Sequence, residues 1–150
     1  MRLVLLRHAK SAWPKDVPDE QRPLNDRGRR DAPAVGRWLA GQPGFDLALV
    51  SPATRARQTW ALVAAELPEP PRHRVEPALY FAGPREIVAA ALETGLDDVL
   101  VVAHNPDLED AVAELTGERV TLKTSALAVV DTEAGTLLDV RTLRGSEPGQ

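Results

Sequence analysis

Three strand-length stretches, residues 2–6, 46–50 and 98–103, are apolar without interruption after a charged first residue, where a half-buried strand would alternate. Continuous runs of four to six residues read as strands of a parallel sheet covered on both faces. The segments between them repeat at helical spacing. Asn25 is a good N-cap, Asp26 suits a first helical turn, and Ala32, Val35, Trp38 and Leu39 recur up to Gly41. Pro33 leaves two starts open for that helix, one at residue 26 and one at residue 31. A second helix is predicted over 52–67, with Ser51 as cap and Pro52 as first residue, ended by Pro68, Pro70 and Pro71. Residues 74–77 form a short strand candidate. Helices follow over 85–93, closed by Gly95, and over 106–115, stopped by Gly117. Residues 126–131 and 136–140 read as an antiparallel pair joined at Glu133-Ala134-Gly135, on the edge of the sheet. Residues 13–23 are loop, punctuated by Pro14, Pro18 and Pro23. The alternation predicts an α/β three-layer sandwich: a mostly parallel central sheet, helices on both faces and an antiparallel C-terminal edge. One domain over 1–145 is the economical organisation, with frayed residues from 145 onward and a flexible tail over 146–150.

Composition narrows the functional classes. The chain has 150 residues, 43% of them hydrophobic and 27% charged, a globular balance. Lys plus Arg number 18 and Asp plus Glu 22, so the net charge is −4, which argues against a general nucleic-acid binder. There is no cysteine. Disulfide staples, Cys-ligated zinc and Cys-nucleophile phosphatases are thereby excluded, and a reducing compartment fits. The apolar run at residues 3–6 is too short for a signal peptide or a membrane span, so the expected location is the cytoplasm, away from membranes.

In open α/β sheets, ligands bind at the carboxyl ends of the strands. The first predicted strand is followed by Arg7 and His8, the second by Ser51 and then Arg55 and Arg57, and the strand over 98–103 by His104. Two of the three histidines and at least two arginines thus fall on one edge of the sheet. The third histidine, His73, stands in a polar run and is expected to be solvated. Forked guanidinium donors match phosphoryl oxygens, and helices starting near Ser51 and Pro106 would aim their N–H groups at the same place. An imidazole can accept a phosphoryl group as a nucleophile. No P-loop, dinucleotide fingerprint or metal-ligand spacing is present, so neither metal nor cofactor is expected. Arg27, Arg29 and Arg30 read as a solvated helix face, and Trp13, Trp38 and Trp60 as packing residues.

The ordered set RHAKSAW, RPLNDRGRRDA, SPATRARQT, ALYFA and VVAHNP resembles the histidine phosphatase superfamily, with its phosphoglycerate-mutase-like fold, and more closely its short, SixA-type phosphohistidine phosphatases. The resemblance spans residues 2–130. It implies that His8 is the phosphoryl-accepting nucleophile and that Arg7, Arg55 and His104 complete a phosphate pocket. It places Ser11 where the superfamily often has a threonine near the phosphate. Arg57 is not carried over, because two residues along a helix it points elsewhere.

Three departures matter. Ala9 replaces the usual glycine, and Pro14 stands where many members have a pocket asparagine. No carboxylate aligns with the general acid that mutases and esterases of the superfamily carry; Glu76 is the candidate by position, and Asp16 or Asp19 of the 13–23 loop are alternatives. A missing acid hinders expulsion of an alkoxide and matters less for a P–N bond. The short loops leave a pocket that a protein surface could reach. The expectation is therefore a metal-independent phosphatase acting on protein phosphohistidine. Small phosphate esters are the alternative substrate, and a phosphate-binding module without turnover the alternative class. His8 must be neutral to attack, while a protonated His104 would serve the phosphate better.

Overall fold

A computed structural model describes residues 1–146 of the chain. Among them, strands β1 (Arg2–Arg7), β2 (Leu47–Val50), β3 (His73–Val75), β4 (Asp98–Ala103), β5 (Ala126–Asp131) and β6 (Thr136–Thr142) form one sheet in the order β3-β2-β4-β1-β5-β6. The first four in that order run parallel, and β5 and β6 are antiparallel. The helices are α1 (Asp26–Ala40), α2 (Thr54–Ala64), α3 (Pro84–Leu92) and α4 (Asp107–Thr116).

The unbroken apolar runs explain the layers. Successive strand residues point to opposite faces. Leu3, Leu5, Leu47, Leu49, Val99 and Val101 pack with Ile87 and Ala91 of α3 and Leu108 and Val112 of α4. Val4, Leu6, Ala48, Val50, Leu100 and Val102 pack with Val35 and Leu39 of α1 and Trp60 and Val63 of α2. A strand buried on both faces has no polar alternation, which is why β1, β2 and β4 read as continuous hydrophobic segments.

Some boundaries differ from expectation. Helix α1 begins at Asp26 and runs through Pro33: the Asn25 side chain accepts from the Gly28 N–H at 2.9 Å, and Ala32, Val35 and Leu39 are buried on either side of the proline. Packing of that face outweighs the one backbone hydrogen bond a proline forgoes. Helix α2 starts at Thr54 and ends at Ala64, shorter than 52–67 at both ends, and Ser51 is not its cap. The loop 13–23 contains one 3-10 turn, Asp19–Gln21, led in by Pro18, and a bridge between Ser11 and Leu24 closes the loop at its base. At the far end, the Gly145 N–H donates to Asp31 Oδ1 at 2.9 Å, so Gly145 is tied to α1 and not frayed. Of the expected tail, residues 147–150 lie outside the described residues.

Candidate active site

Strand register brings the two histidines together. At the carboxyl ends of β1 and β4, Arg7 pairs with Ala103, so the next residues, His8 and His104, leave the sheet side by side. Their ring centroids lie 5.2 Å apart. On the other flank of β4 the chain leaves β2 at Ser51, whose N–H donates to the Val102 carbonyl at 3.0 Å. Its Oγ lies 2.7 Å from His104 Nε2. The hydroxyl read as a helix cap thus fixes the second imidazole instead. One turn on, Arg55 extends from the start of α2 and is 98% buried, leaving 2% exposed.

These groups line a hollow of about 270 Å³ that gathers Arg7, His8, Ser11, Arg55 and His104. His8 Nδ1 is 2.7 Å from the Ala9 carbonyl. A carbonyl only accepts, so Nδ1 carries the proton and Nε2 keeps its lone pair. Three buried nitrogens in this set have no protein partner: Arg7 Nε, Arg55 Nε and His104 Nδ1. Buried polar atoms are ordinarily satisfied. Two guanidinium donors and an imidazole left open around one hollow are what a bound oxyanion would fill.

The other side of the hollow comes from loops. Arg55 Nη1 donates to the Asp19 carbonyl at 2.8 Å and Nη2 to Asp19 Oδ2 at 3.0 Å. Tyr80 Oη donates to the same carboxylate at 2.5 Å, and Arg22 Nε donates to Oδ1 at 3.1 Å. Arg22 Nη1 donates in turn to Ser11 Oγ at 2.9 Å. Phe81 stacks on His104 with centroids 4.6 Å apart and planes 29° apart. Trp13 lies against Arg22, whose guanidinium carbon is 3.5 Å from the ring centroid. Trp13 is not a packing residue.

Burial pushes His8 down to about 4, with Arg55 and Arg7 acting in the same direction, and pushes His104 down to about 3, assisted by His8 and Arg55. Both imidazoles are therefore neutral in the free protein, and the protonated His104 that would serve a phosphate better is not its resting state. Asp19 moves the other way: partial burial would raise it, but the hydrogen bonds from Tyr80, Arg55 and Arg22 hold it at about 2.

The family model of the histidine phosphatase superfamily, branch 1, matches residues 3–80. The chain belongs to the histidine phosphatase superfamily. It is 38% identical over 139 residues to an uncharacterized protein of Mycobacterium tuberculosis, covering 83% of this chain and 85% of that one. It is 35% identical over 120 residues to phosphohistidine phosphatase SixA of Escherichia coli, covering 77% and 74%. A solved protein histidine phosphatase SixA complexed with tungstate superposes with a TM-score of 0.81 at 33% identity, covering 97% of both chains. This histidine phosphatase therefore has the three-layer phosphoglycerate-mutase-like architecture, and it is a phosphatase by class.

Glu76, the candidate acid by position, lies outside the hollow, and so does Arg57, as its place on the helix implies. The Glu76 carboxylate accepts from the Ala78 N–H at 3.3 Å and lies 3.8 Å from Arg74, so it caps a 3-10 turn after β3. Arg57 lines a separate, larger groove of about 660 Å³ between α2 and β3, next to Trp60 and His73. That groove holds none of the unpartnered nitrogens. Among the described residues, no group of three or more His, Cys, Asp or Glu could hold a metal ion. No helix of the described residues is long and apolar enough to cross a membrane. Arg22, Tyr80 and Phe81 carried no assigned role in the sequence, although all three lie inside the family-like segments RPLNDRGRRDA and ALYFA.

Proposed function

We propose that this histidine phosphatase hydrolyses protein phosphohistidine in the cytoplasm, as a step of signal transduction, through a phosphoryl group carried on His8. In the first step His8 Nε2 attacks phosphorus, the P–N bond to the substrate imidazole breaks, and that bond's electron pair returns to the leaving ring. In the second, water attacks the phosphorus of phospho-His8, and Nε2 regains its lone pair as inorganic phosphate departs. Arg7, Arg55 and His104 hold the equatorial oxygens, where charge stabilisation contributes most. Arrival of a phosphoryl dianion beside His104 favours its protonated form, so the proton the free protein excludes is taken up with the substrate. Ser11, oriented by Arg22, presents its hydroxyl hydrogen to the same anion.

The supporting observation for the substrate class is the state of Asp19. Among the described residues it supplies the one carboxylate lining the hollow, and three donors keep it ionised at about 2. It has no proton to give at neutral pH, and Glu76 is engaged elsewhere. An alkoxide needs that proton; the imidazole of phosphohistidine does not.

The test is turnover of a phosphohistidine-bearing protein beside sugar and glycerate phosphates. The expected kcat/KM favours phosphohistidine by at least about a hundredfold, the usual contribution of a general acid. A preference for the esters would reject the substrate, and tungstate binding with no turnover of either would reject the enzyme.

A further inference from the structure

Two large aromatic side chains stand exposed at the mouth of the hollow: Trp13 at 78% and Phe81 at 47%. Single exposed aromatics are ordinary, but two at the opening of one small polar site are not. Each is held in place by groups of the site. Trp13 lies over Arg22, which is fixed by Asp19 and Ser11. Phe81 adopts a left-handed backbone at φ +56°, which bulky residues rarely take. Its turn is tied by the Gly83 N–H donating to Asp107 Oδ2 at 3.1 Å and by Tyr80 to Asp19, and one face of its ring rests on His104. A ring carried on a disfavoured backbone conformation beside the His104 imidazole, with nearly half its surface open, is placed for contact with a ligand.

Geometry sets which part of the ligand that is. His8 is 7% exposed and sits inside the hollow. In-line displacement puts the leaving atom opposite His8 Nε2, toward the opening of a hollow that both rings line. We infer that Trp13 and Phe81 form an aromatic jaw that grips the imidazole of the incoming phosphohistidine and so selects a planar leaving group. This rests on the substrate class proposed above. Aromatic faces stack on imidazole and attract its protonated form. A phosphoimidazolium keeps its proton on the distal nitrogen, takes up the electron pair of the broken P–N bond and leaves as neutral imidazole. The jaw thereby favours the reactive ionic form with no proton transfer in the site.

The test compares a phosphohistidine peptide with phosphoramidate, which has the same P–N bond and no ring. The readout is the ratio of their kcat/KM values, which cancels any general loss from disturbing His104. The double variant Trp13→Leu with Phe81→Leu is expected to lower the ratio about tenfold, and Trp13→Phe with Phe81→Tyr to retain most of it. An equal loss on both substrates, or an unmoved ratio in an enzyme that prefers phosphohistidine, overturns the jaw alone. A parent enzyme that cleaves phosphoramidate and spares phosphohistidine overturns the jaw together with the proposed substrate.

Discussion

The hollow has two walls built in different ways. The inner wall, Arg7, His8 and His104 with Ser51 bonded behind His104, is set by backbone: adjacent parallel strands end in register, and the side chains that follow meet because the sheet makes them meet. The outer wall, Asp19, Arg22 and Phe81 with Tyr80 bonded to Asp19, is set by side chains from two loops, most of them converging on that one carboxylate. Arg55 belongs to both. It is rooted in the first turn of α2 and pinned by Asp19. A wall fixed by the sheet is suited to chemistry that must not vary. A wall fixed by loop contacts can change with the substrate at little cost to the fold.

The two walls should respond differently to substitution. Arg55→Ala removes an orphaned donor from the inner face and the anchor of Asp19 from the outer one. A loss of about 10²–10³ in kcat/KM is expected, the scale of one oxyanion donor, together with weakened tungstate binding by calorimetry. Retained tungstate affinity would mean that the two walls share nothing through Arg55. Leu100→Ala deletes a fully buried side chain beneath the inner wall. It should cost about 2–5 kcal/mol in denaturant unfolding, and so test whether that wall is a property of the core.

Asp19→Asn keeps the shape of the outer wall and removes its charge. The expected result is about a tenfold fall in kcat/KM, one charged hydrogen bond's worth, with thermal stability nearly unchanged because Asp19 is half exposed. A large drop in melting temperature would put Asp19 in the scaffold and blur the comparison.

The smallest effect is the response to mild acid. His8 protonates near 4 in the free enzyme, so its titration should reduce kcat/KM by less than about twofold between pH 7 and 5, and steeply below 4. Stability carries the same sign. From about 6.5 downward the unfolded chain binds protons on these imidazoles that the native state refuses, so unfolding free energy falls as pH falls toward 4. An activity limb centred at 6.5 would show that His8 is solvated, contrary to its burial.

The same division explains what was legible in the sequence. Strand ends are readable because apolar runs and their following residues are contiguous: LVLL leads directly to Arg7 and His8, and VLVVA to His104. Their meeting then follows from parallel order alone. Asp19 sits among Pro18, Glu20 and Gln21 in a stretch with no periodicity, and only three-dimensional closure reveals that it faces Arg55 from 36 positions away. Ser51 was misread for a local reason: Ser-Pro before a helix is a cap signal, and the competing partner, His104, lies 53 residues on. The lowered state of His104 was equally out of reach, since it depends on burial beside His8 and Arg55.

The central claim is that the phosphoryl group passes through His8 Nε2. Rapid acid-free quenching during turnover, followed by peptide mass spectrometry, measures this directly. The account predicts a phosphoryl adduct on the peptide bearing His8, labile to acid and stable to base, that is absent from a His8→Asn protein. Undiminished turnover by that variant, or an adduct on another residue, would contradict it.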